Sequence, residues 1–478
     1  MSDLPEKLLG FCWMNLPPYA RIRIMEREPG TAWIFGAGAS HHYDLNKFAV
    51  PVPLANGFFD AFNSLPSSQE LNTHVGPLIS FLEHYRGVHP LHVNEWNENI
   101  EDFMTSIEAE IEKLRAILNK RPLTADEYLN AWSFGTAFNN MNFIFANVLN
   151  ETLNGASTSL YHDLLPLCSP NDSFITFNWD ALLDRALMDS GGWSPNDGYG
   201  VEFTASLDST WVSRMPGERQ FPTKWKLLKL HGSTNWLVPY VGVHFQTLEY
   251  QSIVPNSDRL FLYWHCSLPY STHKGRWRGG YVPPSYCYYP PNIPAEYFNE
   301  REISAGPGRV FLRTTPRINS PFPELEETGV PSSPVLITPV KQKKYDTYKT
   351  TIGSLWKQAE EALITANRIV VAGYSFPPTD IRPLELLRSI LDKRGNEIDL
   401  EIVAPHVADI AERIGASHLE KAMHVSLHDM KFEEYVFRLQ EKVPELMKKA
   451  MDENEDVRKW VQMLSALNQR ASSQDGSE

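Results

Sequence analysis

The stretch Thr31-Ala-Trp-Ile-Phe-Gly-Ala-Gly-Ala-Ser40 places a short apolar run directly before two glycines that are separated by one alanine. An apolar run of this length predicts a buried strand, and the glycines let the backbone turn tightly and approach a phosphate. A helix starting here would direct free N–H groups and the positive end of its dipole toward the same point. The stretch therefore predicts the first strand of a nucleotide-binding sheet. The third glycine of the dinucleotide fingerprint is missing, and Gly-x-Gly also occurs in turns that bind no ligand.

Strands and helices alternate through much of the remaining chain. The further predicted strands cover 173–176, 225–232, 335–338, 368–373 and 398–404, and the helices between them cover 181–188, 345–366, 381–391 and 406–414. Alternation at this spacing is typical of βαβ units that form a parallel sheet. The sequence therefore predicts an α/β fold with a Rossmann-like parallel sheet.

Two insertions interrupt this alternation. A helical insertion is predicted over about 69–167, with its clearest apolar periodicity in 99–118 and 126–153. The second insertion, over about 254–334, is rich in proline and tyrosine and lacks periodicity. One catalytic domain is thus expected over 1–432. A helical segment over 433–470 and a polar, disordered tail over 471–478 are expected to follow.

Composition excludes several classes of protein. The 478 residues carry a net charge of −14, which argues against a protein that coats nucleic acid. Four cysteines in this length do not form a disulfide framework. No apolar run is long enough to span a bilayer, and no charged-then-apolar leader opens the chain. We expect a cytoplasmic protein that neither enters membranes nor binds nucleic acid directly.

Polar residues follow four of the predicted strands directly. They are found in the Gly36 loop, at Asn178 and Asp180, at His231 and in Gly373-Tyr-Ser375. Ligands of parallel sheets bind beyond the carboxyl ends of the strands, so these residues are expected to line one crevice. Each also has a purely structural interpretation. Asn178 and Asp180 could cap the next helix, a backbone carbonyl could satisfy His231, and the loop after Gly373 could be a rigid turn in which Asp380 caps a helix.

Four motifs together resemble those of the sirtuin superfamily. They are Gly36-Ala-Gly-Ala-Ser40, Thr176-Phe-Asn-Trp-Asp180, Leu230-His-Gly232 and Gly373-Tyr-Ser375, in that order along the chain. The match is closer to the divergent bacterial branch that looks like the NAD-consuming effectors of antiphage defence. The resemblance covers roughly 32–432 with gaps, and its specificity lies in the combination of motifs.

The resemblance implies a role for each matching residue. The NAD+ phosphates are assigned to the first loop, namely to Gly36, Ala37, Gly38, Ala39 and Ser40. Asn178 would hold the nicotinamide ribose and position the attacking species, Asp180 would support the site, and His231 would be the general base. Gly373 and Ser375 would reach the adenosine half, and the loop after Ala404 would cover the adenine.

One departure from the family pattern concerns zinc. Protein-deacetylating sirtuins carry two Cys-x-x-Cys pairs after Leu-His-Gly, whereas this region holds only Cys266 and Cys287, with His265 and His273 nearby. That spacing matches no standard zinc module, so no metal is expected. Without the module a peptide groove is doubtful, and water becomes the expected nucleophile.

The resemblance thus implies an NAD+ glycohydrolase that stops an infected cell by depleting NAD+. The chain shows no recognisable sensor domain, so control is expected from a homo-oligomer or a separately encoded partner. A HerA-type ATPase, an Argonaute-like protein and a nucleotide-processing enzyme are all compatible partners. Two alternatives stay open, an NAD-dependent protein deacylase and a non-catalytic NAD- or ADP-ribose-binding assembly subunit.

Overall fold

The structure of the protein is a computed structural model. It describes residues 8–10, 12, 30–43, 45, 49–65, 76–89, 96–153, 159–203, 205–207, 213–214, 224–239, 260–263, 312–313, 330–341, 343, 345–378, 380–394, 398–415 and 423–474. Every helix within these ranges is too short or too polar to cross a membrane.

The described strands form two sheets of six strands each. In chain order the strands are β1 (Thr31–Phe35), β2 (Ser173–Thr176), β3 (Ala205–Leu207), β4 (Ser213–Arg214), β5 (Lys226–Lys229), β6 (Gly232–Pro239), β7 (Phe261–Tyr263), β8 (Leu312–Arg313), β9 (Val330–Leu336), β10 (Arg368–Ala372), β11 (Ile398–Val403) and β12 (Met423–His428).

The helices of the described residues are likewise numbered along the chain. They are α1 (Ala37–Ser40), α2 (Phe58–Ser64), α3 (Gly76–Arg86), α4 (Ile100–Leu118), α5 (Ala125–Thr152), α6 (Ser159–Leu164), α7 (Leu182–Asp189), α8 (Pro195–Gly198), α9 (Lys349–Thr365), α10 (Ile381–Arg394), α11 (Val407–Ile414), α12 (Phe432–Glu441), α13 (Val443–Glu453) and α14 (Glu455–Gln474).

The main sheet is parallel throughout, in the spatial order β12-β11-β10-β1-β2-β5. This is the Rossmann order: β1 lies at the centre, and the chain builds the sheet first to one side of β1 and then to the other. All five residues of β1 are buried, as expected of a strand covered on both faces. The predicted Rossmann-like α/β fold is confirmed. Its topological switch point lies between β1 and β10, where such sheets bind ligands.

The strand predicted over 335–338 is wrong in its placement. It belongs to β9, which pairs antiparallel with β6 in the second sheet, with Gly232 opposite Leu336. The chain reverses at Gly232, which has φ 81°, and a Cβ there would lie 2.1 Å from the Val335 carbonyl oxygen. A short apolar run fits either sheet, so its local pattern could not identify the partner strand. Strands β3, β4, β6, β7, β8 and β12 were not predicted.

Within the described residues, the region predicted as a helical insertion contains the helices α3, α4, α5 and α6. The periodic segments predicted over 99–118 and 126–153 correspond to α4 and α5. The Asn99 side chain begins α4 by accepting hydrogen bonds from the backbone N–H groups of Glu101 and Asp102 at 2.8 and 3.2 Å. The buried face of α4 packs in the same hydrophobic core as the main sheet. These helices therefore share one core with the main sheet.

The C-terminal helices belong to two different cores. Helix α12 packs in the main core, whereas α13 and α14 form a second cluster with Leu9 and Cys12. Helix α14 continues to Gln474, further than the disordered tail expected from 471 onward. Little of the proline- and tyrosine-rich insertion lies among the described residues, and Cys266, Cys287, His265 and His273 lie outside them.

Candidate functional site at the switch point

The loops after β1 and β10 interlock at the switch point. The Gly38 N–H donates a hydrogen bond to the Gly373 carbonyl at 2.9 Å. A Cβ on Gly36 would lie 2.6 Å from the Tyr374 Cα, and one on Gly373 would lie 2.2 Å from the Ala39 nitrogen. These glycines are therefore required by the contact between two backbones, a reason that the sequence motif did not reveal.

The helical turn after β1 is short. Helix α1 contains only Ala37–Ser40, with Ala37 and Gly38 exposed and Ala39 and Ser40 buried. Besides the Gly38 amide, the N–H of Gly36 donates to Ala372 at 3.1 Å and that of Ala39 to Gly36 at 2.9 Å. Three amides of the predicted phosphate loop thus have partners within the protein. A phosphate must use the exposed end of the loop or displace one of these bonds.

Asn178 ties the end of β2 to this loop. Its Nδ2 donates hydrogen bonds to the Gly36 carbonyl at 2.9 Å and to Ser40 Oγ at 3.0 Å. Its own backbone N–H donates to Thr176 Oγ1 at 3.0 Å, which fixes the turn that follows the strand. The structure therefore brings the buried Asn178 against the first loop, as predicted from the strand ends.

Asp180 supports the next helix. Its Oδ1 accepts a hydrogen bond from the backbone N–H of Leu182, the first residue of α7, at 3.0 Å. Its backbone carbonyl accepts from the buried ammonium of Lys229, which also pairs with Asp184 at 3.1 Å. Asp180 therefore caps α7, which is the structural role given above as the alternative to a role in ligand binding.

His231 lies between β5 and β6 and is buried. Its Nε2 lies 3.0 Å from Asp380 Oδ2 and 3.2 Å from the Tyr345 hydroxyl. Its Nδ1 is buried and has no hydrogen-bond partner. The ring packs against the aromatic rings of Phe177 and Trp179, with centroid distances of 5.1 and 5.4 Å. The charged partner of Nε2 is therefore a carboxylate, whereas the structural interpretation of His231 predicted a backbone carbonyl.

Asp380 gathers donors from three segments of chain. Besides His231, the Tyr345 hydroxyl donates to Oδ1 at 2.8 Å and the Tyr374 hydroxyl to Oδ2 at 3.2 Å. The Lys343 ammonium lies 3.7 Å from Oδ2, and its other neighbour is Glu101 of α4 at 3.8 Å. Asp380 was predicted at most to cap a helix; its carboxylate instead holds the site histidine.

The electrostatics of this pair follow from burial and from the donors. Burial raises the pKa of Asp380, but the hydrogen bond and charge of His231, the Lys343 cation and the Tyr345 hydroxyl outweigh it and hold that pKa well below its usual range. Burial lowers the pKa of His231, Asp380 opposes this, and Lys343 adds to the lowering. The Phe177 backbone raises the pKa slightly, although its geometry falls outside that of a full hydrogen bond. Both shifts favour, at neutral pH, a carboxylate at Asp380 and an uncharged imidazole at His231.

Tyr374 joins the two halves of the site. Its backbone packs on Gly36, its hydroxyl bonds Asp380, and its ring stacks on Phe177 at a centroid distance of 4.4 Å. Ser375, by contrast, is exposed, and its carbonyl accepts a hydrogen bond from Arg413.

Two residues of the site, Tyr345 and Lys343, were not predicted from the sequence. Both contact Asp380 from the segment that follows β9. That segment matches no motif. Only its position directly after β9 could have indicated that it reaches the site.

Comparison with known proteins gives little further identification. No family model and no curated protein sequence matches the chain. One solved structure that resembles it is described as a mutant of a Sir2 homologue in complex with ADP-ribose. The two chains are 13% identical, the match covers 89% of this chain and 95% of the other, and the TM-score is 0.31. At these values the likeness carries no argument about function.

Proposed function

We propose that this protein is an NAD+ glycohydrolase, which converts NAD+ and water to nicotinamide, ADP-ribose and a proton. The observation that carries the proposal is the anchoring of the Gly36 loop by Asn178 at the switch point of a Rossmann-like sheet. His231, which follows β5, is paired with a carboxylate, and burial lowers its pKa, which favours the uncharged form that a general base requires. The four-motif resemblance to sirtuin-like NAD-consuming effectors agrees with this arrangement.

The chemistry sets the demands on these residues. Breaking the bond between nicotinamide and C1′ leaves the electron pair on nicotinamide and an oxocarbenium-like ribose, to which water adds at C1′. The site must therefore bind the substrate most tightly when positive charge has developed on the ribose. It must also exclude all water except the attacking molecule. His231 takes the proton released as the new C1′–O bond forms. Asn178 orients the ribose or the water without adding charge.

The closed geometry supports external control of this activity. The Asn178 amide and the Gly38 N–H both have partners within the protein. Substrate must therefore compete with existing hydrogen bonds, which suits an enzyme kept inactive until it is triggered. We propose that assembly with itself or with a separately encoded partner supplies the trigger, and that NAD+ loss then halts a phage-infected cell.

The first experiment measures NAD+ consumption by the purified full-length protein, alone and with candidate partners, with chromatography of nicotinamide and ADP-ribose. We expect His231→Ala and Asn178→Ala to lose about 100-fold or more of the turnover, since positioned proton transfer contributes ~10²–10⁴-fold. The matched controls are His84→Ala and Asn119→Ala, which change exposed residues of α3 and the end of α4.

Several results would contradict the proposal. Unchanged turnover in both site variants would place the chemistry elsewhere. Turnover that requires an acylated peptide would favour a protein deacylase. Tight binding of ADP-ribose with no turnover under any condition would favour a binding subunit. In cells, NAD+ depletion on phage challenge that persists in the His231→Ala strain would disprove the defence role.

A further inference from the structure

The contacts of His231 determine where its proton lies. A carboxylate oxygen has only lone pairs to offer, so an imidazole nitrogen 3.0 Å away must carry the hydrogen. Nε2 therefore donates to Asp380, and the neutral ring keeps its lone pair on Nδ1. That atom is buried and without a hydrogen-bond partner, a costly state for a core histidine.

The carboxylate itself is rigidly held. Tyr345 bonds one of its oxygens and Tyr374 the other, so neither oxygen depends on His231 alone. The Tyr345 ring is covered in turn by the guanidinium of Arg382, 4.6 Å from its centroid. The residues of this network come from the start of α10, the turn before α9 and the end of β10.

We propose that Asp380 is a positioning residue that holds His231 in the tautomer protonated at Nε2, so that Nδ1 accepts the proton during hydrolysis. We further propose that Lys343 opposes Asp380 by disfavouring the imidazolium. The inference rests on the proposed function. It names the atom that accepts the proton and two charges with opposite effects on the protonation of His231. The sequence motifs indicate neither.

The two charges predict opposite shifts in pH dependence. The charged and titratable groups around the ring are Asp380, Lys343, Tyr345, Tyr374, Glu101 and Arg382. Of these, Asp380 raises the pKa of His231 and Lys343 lowers it. A base works only when neutral, so kcat/KM falls as pH drops through that pKa. Removing the carboxylate must move this acid limb to lower pH, and removing the ammonium must move it to higher pH.

The kinetic test compares pH profiles of kcat/KM for the full-length protein, Asp380→Asn and Lys343→Met. Asp380→Asn should lower the plateau by about 10²–10⁴-fold, because tautomer control is lost, and should move the acid limb down. Lys343→Met should move the limb up. Asp380→Glu should recover part of the activity. Asp126→Asn and Lys357→Met, both at exposed positions, are the controls.

A second readout does not depend on turnover. In protein labelled with ¹⁵N-histidine, the ring signals of His231 are identified by their absence in His231→Ala, and their shifts report the tautomer. The wild type should show the Nε2–H form, and Asp380→Asn should show a mixture. A dominant Nδ1–H form, or a limb that shifts the same way in both variants, would overturn the inference. If NAD+ hydrolysis were absent but the Nε2–H form present, the proposed function alone would fail.

Discussion

Gly373 is held in a backbone conformation that strains most residues that carry a side chain. Its φ is 63°, in the left-handed region, and a side chain there would meet the backbone of Ala39. Because that neighbour is backbone, it cannot move aside as a flexible side chain could. The junction of the two loops therefore depends on the absence of a side chain at this position.

We predict that Gly373→Ala lowers the free energy of unfolding by about 3 kcal/mol or more, since left-handed backbone strain and overpacking add. Gly87→Ala is the matched control. Gly87 has φ 65° but no atom within 4 Å of a built Cβ, so strain alone should cost ~1 kcal/mol. Urea denaturation of both variants gives the comparison, and equal losses would show that the loop contact contributes nothing.

The residues of the site differ in how far the sequence could identify them. Asn178 and His231 were predicted because each directly follows a strand, and parallel strands end at the same edge. Asp380 lies in a loop that was recognised, yet its role depends on a histidine on the opposite side of β1. Periodicity describes neighbours along one element, so it cannot reveal such a contact.

Among the elements, β5 and α7 are joined by a buried ion pair. Lys229 and Asp184 lie 3.1 Å apart with side chains 0% and 1% exposed. The Tyr199 hydroxyl also donates to Asp184, which satisfies the carboxylate further. Breaking such a pair from one side leaves an uncompensated buried charge, whereas removing both charges leaves none.

We predict that Lys229→Met destabilises the protein by about 3–5 kcal/mol. Adding Asp184→Asn should restore at least half of the loss, because the amide oxygen still accepts from Tyr199. Lys226→Met, at an exposed position of the same strand, should change stability by less than about 0.5 kcal/mol. Denaturation midpoints of the four proteins provide the test. A double variant no more stable than Lys229→Met would show that the charge of Asp184 is not the cause.

The strands show why a sequence predicts elements better than their partners. The apolar runs at β1, β2, β10 and β11 were recognised, and the alternation with helices correctly predicted a parallel sheet. The run at 335–338 was equally apolar but joined the second sheet. Strand β6 was not predicted because it contains the run Gly232-Ser-Thr-Asn235, whose polar residues do not look like a buried strand. In the structure this run is buried through contacts with other segments.

At the scale of the whole molecule, α13 and α14 pack in a second hydrophobic cluster that is separate from the core of the main sheet. Val461 is 0% exposed in this cluster, whereas Met463 on the same helix is 44% exposed. The cluster closes on the N-terminal residues Leu9 and Cys12. Leu9 and Cys12 therefore help to bury the apolar faces of α13 and α14.

We predict that Val461→Asp unfolds this cluster without unfolding the main sheet, because a carboxylate is introduced where it has no partner. Hydrogen exchange of amides in α13 and α14 should accelerate about 100-fold or more, while β1 and β10 stay protected. Met463→Asp should leave both regions protected. Loss of protection throughout the chain in Val461→Asp would show instead that the two cores unfold together.

The central strand β1 and its neighbour β10 are synthesised at different times, because they are far apart along the chain. Its loop emerges early from the ribosome, but β10, which carries the interlocking Gly373, begins only at Arg368. A chain released before that point has the first loop and the histidine but neither Gly373 nor the carboxylate that holds His231. A chain that ends before β10 is therefore expected to lack the assembled site.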